Sequence, residues 1–522
     1  MKTPLHSLPL LGLALLAAGP GAAQTAAPTA AQPADAFVES IGVNTHWQAG
    51  NVYTTRYADL KAKLVRAGIR HVRDGDVGGV FPRARDLFAT HGIRTTFITA
   101  RRPDNYLSPL QPARIQEELN DIKANALAAT EAIEAPNEYD LFHDARETDW
   151  VGKIQAYTRT LYALVKADPA LASRPVLGPS LTSEGAYAAV GNLDAHLDHP
   201  NFHPYQSDRW PGSPGWGGNG YGGLDWAYNY LLARQSPSGK RPQATECGYS
   251  NDLSADGLSE EAEGKYTARM YAEFFRRGIV RTFKYELVDE GTSGREQLFG
   301  LLRNDLSEKP AYRAVKQLTD VLADPGPAFA PGTLAYALAG STANVRQLLL
   351  RKRTGDFYLL LWLEVPSWDV NADVNLYPAA QTVTVSLPPG AVTQATGYTL
   401  DNNATPGTAT YPLANNAFAL AVTDKVTVVK LTTAQPLATA EAAAPGGVFP
   451  NPLGPGDRLT VAGAPAGTAV QVRDLLGRAV RTAPLGAGGT LDLGALPPGA
   501  YFLTVGAAGP AARTYRVLKT AP

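Results

Sequence analysis

"LVRAGIRHVRDG", Leu64 to Gly75, decides the fold. A helix end runs up to Gly68, and a β-rich stretch opened by Ile69 follows. Glycine just past a helix ends it, because it takes the left-handed conformation without a Cβ penalty. Upstream, Tyr57, Leu60, Leu64 and Val65 recur at helical spacing. The same unit returns as "LFATHGIRTTFITA" (Leu87 to Ala100) around Gly92 and as "FFRRGIVRTFKYE" (Phe274 to Glu286) around Gly278. Helix and strand alternate from Ile41 to about Leu318, and alternation implies a parallel sheet. Strands are predicted around Ile41, His71, Thr95, Ile133, Val176, Asn201, Gln243 and Phe283. Eight βα units suit a (β/α)8 TIM barrel, for which ~250 residues is typical. A doubly wound open sheet is the rival, and it normally carries an early phosphate-binding glycine loop. "GGNGYGG" (Gly217 to Gly223) has that glycine spacing, but it follows Trp- and Pro-rich loop sequence rather than a strand.

The 522 residues exceed one ordinary domain. From about Asp324 the helical period is lost. "RQLLLRKRTGDFYLLLWLEV", "QTVTVSLPPG" and "NAFALAVTDKVTVVKLT" read as strand pairs of an all-β sandwich. At the other end, Lys2, the apolar run Leu8 to Ala18 and the small residues Gly21-Ala22-Ala23 read as a signal peptide. That run is shorter than the ~20 residues a membrane span needs. The predicted organisation is a signal peptide (1–23), a linker (24–36), a barrel (37–322), a β-sandwich (323–433), an Ala-rich linker (434–447) and a C-terminal domain (448–522). An exported protein with no membrane span after processing is expected. A net charge of −1 gives no field that favours nucleic acid. The single Cys247 excludes an intrachain disulfide and a cysteine-based zinc site.

In a barrel the C-terminal strand ends build the active site. Here they read "VNTHW" (Asn44, His46, Trp47), "HVRDGD" (Arg73, Asp74, Asp76), "EAPNE", "NFHPYQ" (His203, Tyr205), "ATECGYS" (Glu246) and "FKYELVDE" (Tyr285, Glu286). Glu138 at strand four and Glu246 at strand seven face each other across the mouth of a closed barrel. Two facing carboxylates are the equipment for glycosidic cleavage, one to protonate the leaving oxygen and one to attack or to activate water. Asn137 can hold a sugar hydroxyl, while Arg73, His203 and Tyr205 can orient the carboxylates and keep one ionised. Glu134, inside the barrel, is a partner for Arg73. Asp74 and Asp76 read as loop and cap residues. His46, His71 and His203 lack metal-ligand spacing, so neither a metal nor another cofactor is expected. Flat rings stack on sugar faces. Trp210 and Trp216, in loop sequence, are subsite candidates, whereas Trp226 and Tyr228 suit the barrel wall equally well.

Taken in order, Asn137-Glu138, Glu246, Arg73 and His203-Pro204-Tyr205 resemble the clan A glycoside hydrolases over about Phe37 to Leu318. "FGLLRNDLSEKPAYRAVKQL" (Phe299 to Leu318) is similar to the end of such barrels. The resemblance implies that Glu138 is the acid/base and Glu246 the nucleophile of a retaining enzyme. It also implies that Asn137 binds the sugar 2-hydroxyl and Tyr205 hydrogen-bonds the nucleophile. The chain departs from the pattern at Tyr139, where proline is common, and at Tyr285, where strand eight often ends in tryptophan. His46, Trp47 and Tyr285 complete the expected binding set for a carbohydrate substrate. The alternative is a non-catalytic glycan-binding surface protein on a degenerate barrel.

The end of the chain carries a second resemblance. "VFPNPLGPGDRLTV", "VQVRDLLGRAVRT" and "LDLGALPPGAYFLTVGAAG" resemble the type A C-terminal sorting domain of the type IX secretion system. That implies a small β-sandwich, a partnership with the secretion machinery and a secreted or cell-surface destination.

Overall fold

Residues 41–284 wind into a parallel barrel whose strands are β1 (Ile41–Asn44), β2 (His71–Gly75), β3 (Arg94–Ile98), β4 (Thr130–Glu134), β5 (Val176–Leu177), β6 (Asn201–Phe202), β7 (Gln243–Cys247) and β8 (Thr282–Lys284). The computed structural model describes residues 27–75, 78–100, 110–143, 147–433 and 448–520, apart from 450–452, 455–457, 462–463, 475–477 and 507–512. The signal peptide, Asp76, the 434–447 linker and the Pro-Asn-Pro and Leu-Leu-Gly parts of the C-terminal motif lie outside the described residues.

All eight strands form one sheet, in the order β5-β4-β3-β2-β1-β8-β7-β6. The ends meet where Gly178 N–H donates to the His199 carbonyl (2.9 Å) and Asp198 N–H to that of Val176 (2.8 Å). Gly68 and Gly278 stand at φ +65° and +87° after their helices, as the repeat predicts. Inside the barrel Gly42 leaves room for a neighbour, since a Cβ there would stand 2.5 Å from the Phe283 ring. Among the described residues no helix is long and apolar enough to cross a membrane.

The second part of this unit is a β-sandwich. One sheet orders Ala27–Ala30, Thr333–Gly340, Gln381–Ser386 and Ala417–Val422. The other orders Gly407–Tyr411, Val392–Thr399, Thr427–Thr433, Phe357–Leu363, Val345–Arg351 and Gln32–Pro33. The expected linker 24–36 is therefore corrected. Ala27–Ala30 pairs antiparallel with Thr333–Gly340, Gln32–Pro33 pairs parallel with Val345–Arg351, and Ala34–Glu39 is helical. Its Ala/Pro/Thr composition hid two edge strands, and an edge is where a sheet tolerates proline.

The run "FYLLLWL" (Phe357–Leu363) is buried on both faces. Phe357, Leu359, Leu361 and Leu363 fill the sandwich core, while Tyr358, Leu360 and Trp362 join the barrel's core. Period-two alternation thus glues the sandwich to the barrel, and the strand reads as a continuous apolar run for that reason. The helix Glu260–Arg276 lies at this junction and is buried almost throughout. Its Arg269 donates to Glu364 (2.7 Å) and its Lys265 to Asp424 (3.0 Å).

The chain from Gln435 onward is a separate unit. Val448–Phe449, Arg458–Val461 and Thr490–Asp492 make one sheet; Ala479–Pro484, Ala469–Arg473, Gly499–Val505 and Arg513–Lys519 make the other. Leu459, Val461 and Leu491 from the first sheet share a core with Val470, Val472, Leu503 and Val517 from the second.

Candidate active site

The C-terminal ends of the barrel strands surround an open cleft of about 840 Å³, within the range of small-molecule sites. Asn137, Glu138, Tyr205, Glu246, His46 and Tyr285 line it.

Arg73, on β2, organises the floor. Burial leaves its guanidinium no water, so all five N–H groups need partners. Nε and Nη2 donate to the two oxygens of Glu134 (2.7 and 2.8 Å), Nη1 to Asn44 (2.9 Å) and Glu246 (2.7 Å), and Nη2 also to Asn137 (2.7 Å). Burial disfavours its charge, but Glu134 and Glu246 outweigh burial and raise its pKa further. Glu134 is fully buried and also accepts from Asn201 (2.9 Å) and Thr245 (3.2 Å).

Glu246 stands beside Thr245, and both side chains turn inward. Strict strand alternation would send them to opposite faces. An extra residue in β7 resolves this: Ala244 pairs with Thr282 and Cys247 with Lys284, so three steps oppose two. Glu246 then accepts from Arg73 and from the Tyr205 hydroxyl (2.9 Å). Burial pushes its pKa up, but the charges of His203 and Arg73 and both hydrogen bonds outweigh that and hold it well below the usual carboxylate range. Burial, then the Glu246 charge, raises Tyr205 well above an ordinary phenol, so it stays a donor.

Glu138 lies past the end of β4, at φ +44°, ψ +41°. That left-handed conformation costs an L-residue roughly 1–2 kcal/mol. Its N–H donates to the Ser180 carbonyl (3.0 Å), and it opens the short helix Tyr139–Phe142. The carboxylate accepts from His203 Nδ1 (2.7 Å), and His203 Nε2 reaches Thr245 Oγ1 (3.1 Å). Burial lowers the His203 pKa, but the Glu246 charge and the bonded Glu138 outweigh it and raise the pKa. His203 Nδ1 is also 3.7 Å from Glu246, and the nearest oxygens of the two glutamates lie within 4.8 Å of one another. Asn137 Oδ1 accepts from Arg73 and from Ser180 (3.1 Å), leaving Nδ2 for a ligand.

At the far wall His46 Nδ1 lies 2.7 Å from Glu290 and 3.2 Å from Glu286, and Tyr53 donates to Glu286 (2.7 Å). Burial opposes the His46 charge, but these two glutamates raise its pKa well above the ordinary value. His46, Glu286 and Glu290, like Glu138, His203 and Glu246, gather atoms that could hold a metal. In each set a 2.7 Å nitrogen–oxygen contact is a hydrogen bond; two ligands of one tetrahedral ion stand roughly 3.4 Å apart at Zn–ligand lengths of ~2.1 Å. Tyr285, whose peptide bond to Glu286 is cis, meets His46 and Phe299 edge-on or tilted. Asp74 accepts from Thr45 (2.9 Å), Trp47 N–H (3.0 Å) and Gly75 N–H (2.8 Å), and burial lifts its pKa to about 6.

Three aromatic expectations are corrected. Trp47 is fully buried against Tyr53 and Tyr57, because Asp74 draws its backbone inward. Trp210 packs on the barrel core, and Trp216 lies against Arg209 and bridges to Tyr221 in a loop folded on itself. None of the three lines the cleft. Trp226 is buried in the wall. Sequence reasoning missed Asn201 and Tyr53, and also Arg295 and Phe299, which line the cleft. Asn201 could have been found, since it shares the inward face with His203 at period two; the other three sit in loops and helices with no pattern to mark them.

The barrel thus carries a carboxylate pair at the C-terminal ends of its strands and a β-sandwich packed on its core. No family model and no curated protein matches the chain. Solved structures match it in fold. The GH39 enzyme from Xanthomonas axonopodis pv. citri is 16% identical with a TM-score of 0.51, over 78% of this chain and 98% of that one. A monomeric beta-xylosidase from Caulobacter crescentus CB15 is 13% identical with a TM-score of 0.52, again over 78% and 98%. Such identities speak for the fold alone.

Proposed function

We propose that this protein is a retaining glycoside hydrolase that cleaves O-glycosidic bonds of a poly- or oligosaccharide or another glycoside. One observation carries the reading: two glutamates of unlike surroundings face each other with oxygens within 4.8 Å. Retaining enzymes hold their carboxylates ~5–5.5 Å apart and inverting ones ~6.5–9.5 Å, to admit a water. Glu246, held ionised by Arg73, His203 and Tyr205, attacks the anomeric carbon as the glycosidic C–O bond breaks. Glu138 gives its proton to the departing oxygen. It then takes a proton from water, which displaces Glu246 and releases the sugar. Asn137 Nδ2 donates to a sugar hydroxyl beside the reacting carbon. The neighbouring folds, one a GH39 enzyme and one a beta-xylosidase by name, agree with this chemistry.

The test is a pair of variants. Glu246→Gln abolishes turnover of every glycoside. Glu138→Gln slows natural substrates by ~10²–10⁴-fold, the usual size of general acid catalysis, and spares glycosylation by activated aryl glycosides. Equal losses on both substrate types for Glu138→Gln would remove the acid/base role. We further propose export followed by loss of the C-terminal unit, from the signal and sorting resemblances. Mass spectrometry of the secreted form then finds an N-terminus near Gln24 and an end before Val448; an intact tail on secreted protein contradicts it.

A further inference from the structure

Glu138 stands in a conformation that glycine takes freely and other residues rarely adopt. Glycine would carry no carboxyl, so the site keeps a strained residue and has to hold it in place. Strain of this kind persists only where the surrounding structure over-determines it. Here the surroundings are one short segment, 180–182, just past β5. Asn137 and Ser180 form a parallel bridge, and Glu138 N–H donates to the Ser180 carbonyl (3.0 Å). Two residues on, the Asp140 oxygens accept from Thr182 N–H (3.1 and 3.0 Å) and Oδ2 also from Thr182 Oγ1 (2.7 Å). The bonds to Ser180 fix the chain up to Glu138, and those to Thr182 fix it just beyond.

Resting on the reading above, we propose that Asp140 is a positioning residue for the general acid. Clamped to Thr182, it holds Glu138 left-handed, with its carboxyl against His203 in the cleft. Thr182 lines the cleft, whereas Asp140 is not among the described residues that do, so Asp140 acts through Glu138. The magnitudes are sufficient: a hydrogen bond to a charged acceptor matches or exceeds the cost of one left-handed residue. Without the clamp, Glu138 can return to the right-handed region, at φ of roughly −60°. That return re-aims its Cα–Cβ bond and takes the carboxyl off His203 Nδ1, which it meets at 2.7 Å. Tyr139, between the two acids, has its own anchors, accepting from Leu110 N–H (3.1 Å) and donating to Glu147. Loss of Asp140 therefore frees the turn at Glu138 without releasing the segment.

A misplaced acid shows itself by which substrates suffer. An aryl glycoside panel first identifies the accepted sugar. kcat/KM is then measured for its dinitrophenyl glycoside, whose leaving group needs no proton, and for an alkyl glycoside, whose leaving group does. Asp140→Ala lowers the alkyl value by about 10–100-fold, the cost of misplacing a catalytic group by about an ångström, and leaves the dinitrophenyl value close to wild type. Asp140→Asn keeps an oxygen for Thr182 N–H and restores most of the alkyl activity. Equal losses on both substrates, an unchanged alkyl value, or an asparagine variant as impaired as the alanine one overturns the clamp. Should the alanine variant not fold, Thr182→Val, which deletes only the 2.7 Å bond, lowers the alkyl-to-dinitrophenyl ratio by a smaller factor; an unchanged ratio overturns the clamp. If the wild type hydrolyses no glycoside, the enzymatic reading falls, and crystal structures of wild type and Asp140→Ala decide the clamp alone. Glu138 out of the left-handed region and away from His203 in the variant upholds it; an unmoved Glu138 removes it.

Discussion

Replacing Tyr205 by phenylalanine removes one atom and tests how the cleft keeps its nucleophile ionised. The hydroxyl donates to Glu246 over 2.9 Å, and the ring lies 5.9 Å from Phe299, a contact phenylalanine keeps. A hydrogen bond to a charged group contributes ~1.5–3 kcal/mol. One pKa unit corresponds to about 1.36 kcal/mol, so Glu246 should rise by roughly one to two units. The sign follows from the chemistry. The carboxylate must be ionised to attack, and its pKa is depressed in the native site, so wild-type activity persists into acid. Without the donor, the acid limb of kcat/KM against pH moves up. On the plateau the loss is about 10–100-fold if the hydroxyl also orients the attacking oxygen, from the same energy read as a barrier. The assay is a pH series on an activated aryl glycoside with folding checked by circular dichroism. An acid limb that stays in place, with the fold intact, refutes the claim that this bond helps hold Glu246 down.

Two further predictions concern stability. Arg269→Met leaves buried Glu364 without its main partner at the junction of barrel and sandwich, so the unfolding free energy should fall by ~3–5 kcal/mol in urea titration, and a loss under about 1 kcal/mol would show the pair to be idle. At the opposite end of the barrel, burial pushes Glu39 up, but His71 and Arg70 outweigh it and depress its pKa. Such a group adds stability above its unfolded pKa of about 4.3, lost as pH falls through the folded value. Glu39→Gln should therefore be less stable at pH 7 yet lose less between pH about 4.5 and 2, as calorimetry would read; parallel curves would exclude the linkage.

The barrel was legible because helix-end glycines and opening isoleucines repeat with the βα unit, a local signal that survives without tertiary information. The strands at Ala27 and Gln32 were not, because an edge strand needs no apolar pattern and Ala, Pro and Thr resemble a linker. Within the site, Asn137, Glu138, Tyr205 and Glu246 could be named because each lies at the end of a strand or within four residues after it, and strand ends converge in any barrel. The ring positions failed for the opposite reason. Trp47, Trp210 and Trp216 lie in loops, where direction is set by particular hydrogen bonds such as Trp47 N–H to Asp74 and by the Trp216–Tyr221 bridge. Nothing in a loop's composition says which way an indole points.

That difference between strand and loop also accounts for the two glutamates. Glu246 belongs to β7, where an extra residue turns it into the charge network that Arg73 shares with fully buried Glu134. It is fixed by the same elements that fix the barrel, and a group so held changes protonation reluctantly. Glu138 lies one step outside regular structure, in a left-handed conformation, bonded to His203, its side chain 17% exposed against 13% for Glu246. Exposure scarcely separates the two; their partners do. A guanidinium has no proton to exchange at any working pH and serves an anion that must persist. An imidazole beside Glu138 can hold or share a proton, which serves a carboxyl that must lose one in the first step and regain it in the second. On the proposed reading, the division of labour between the acids is thus carried by Arg73 and His203, and exchanging their influence, rather than the glutamates themselves, is what would blur it.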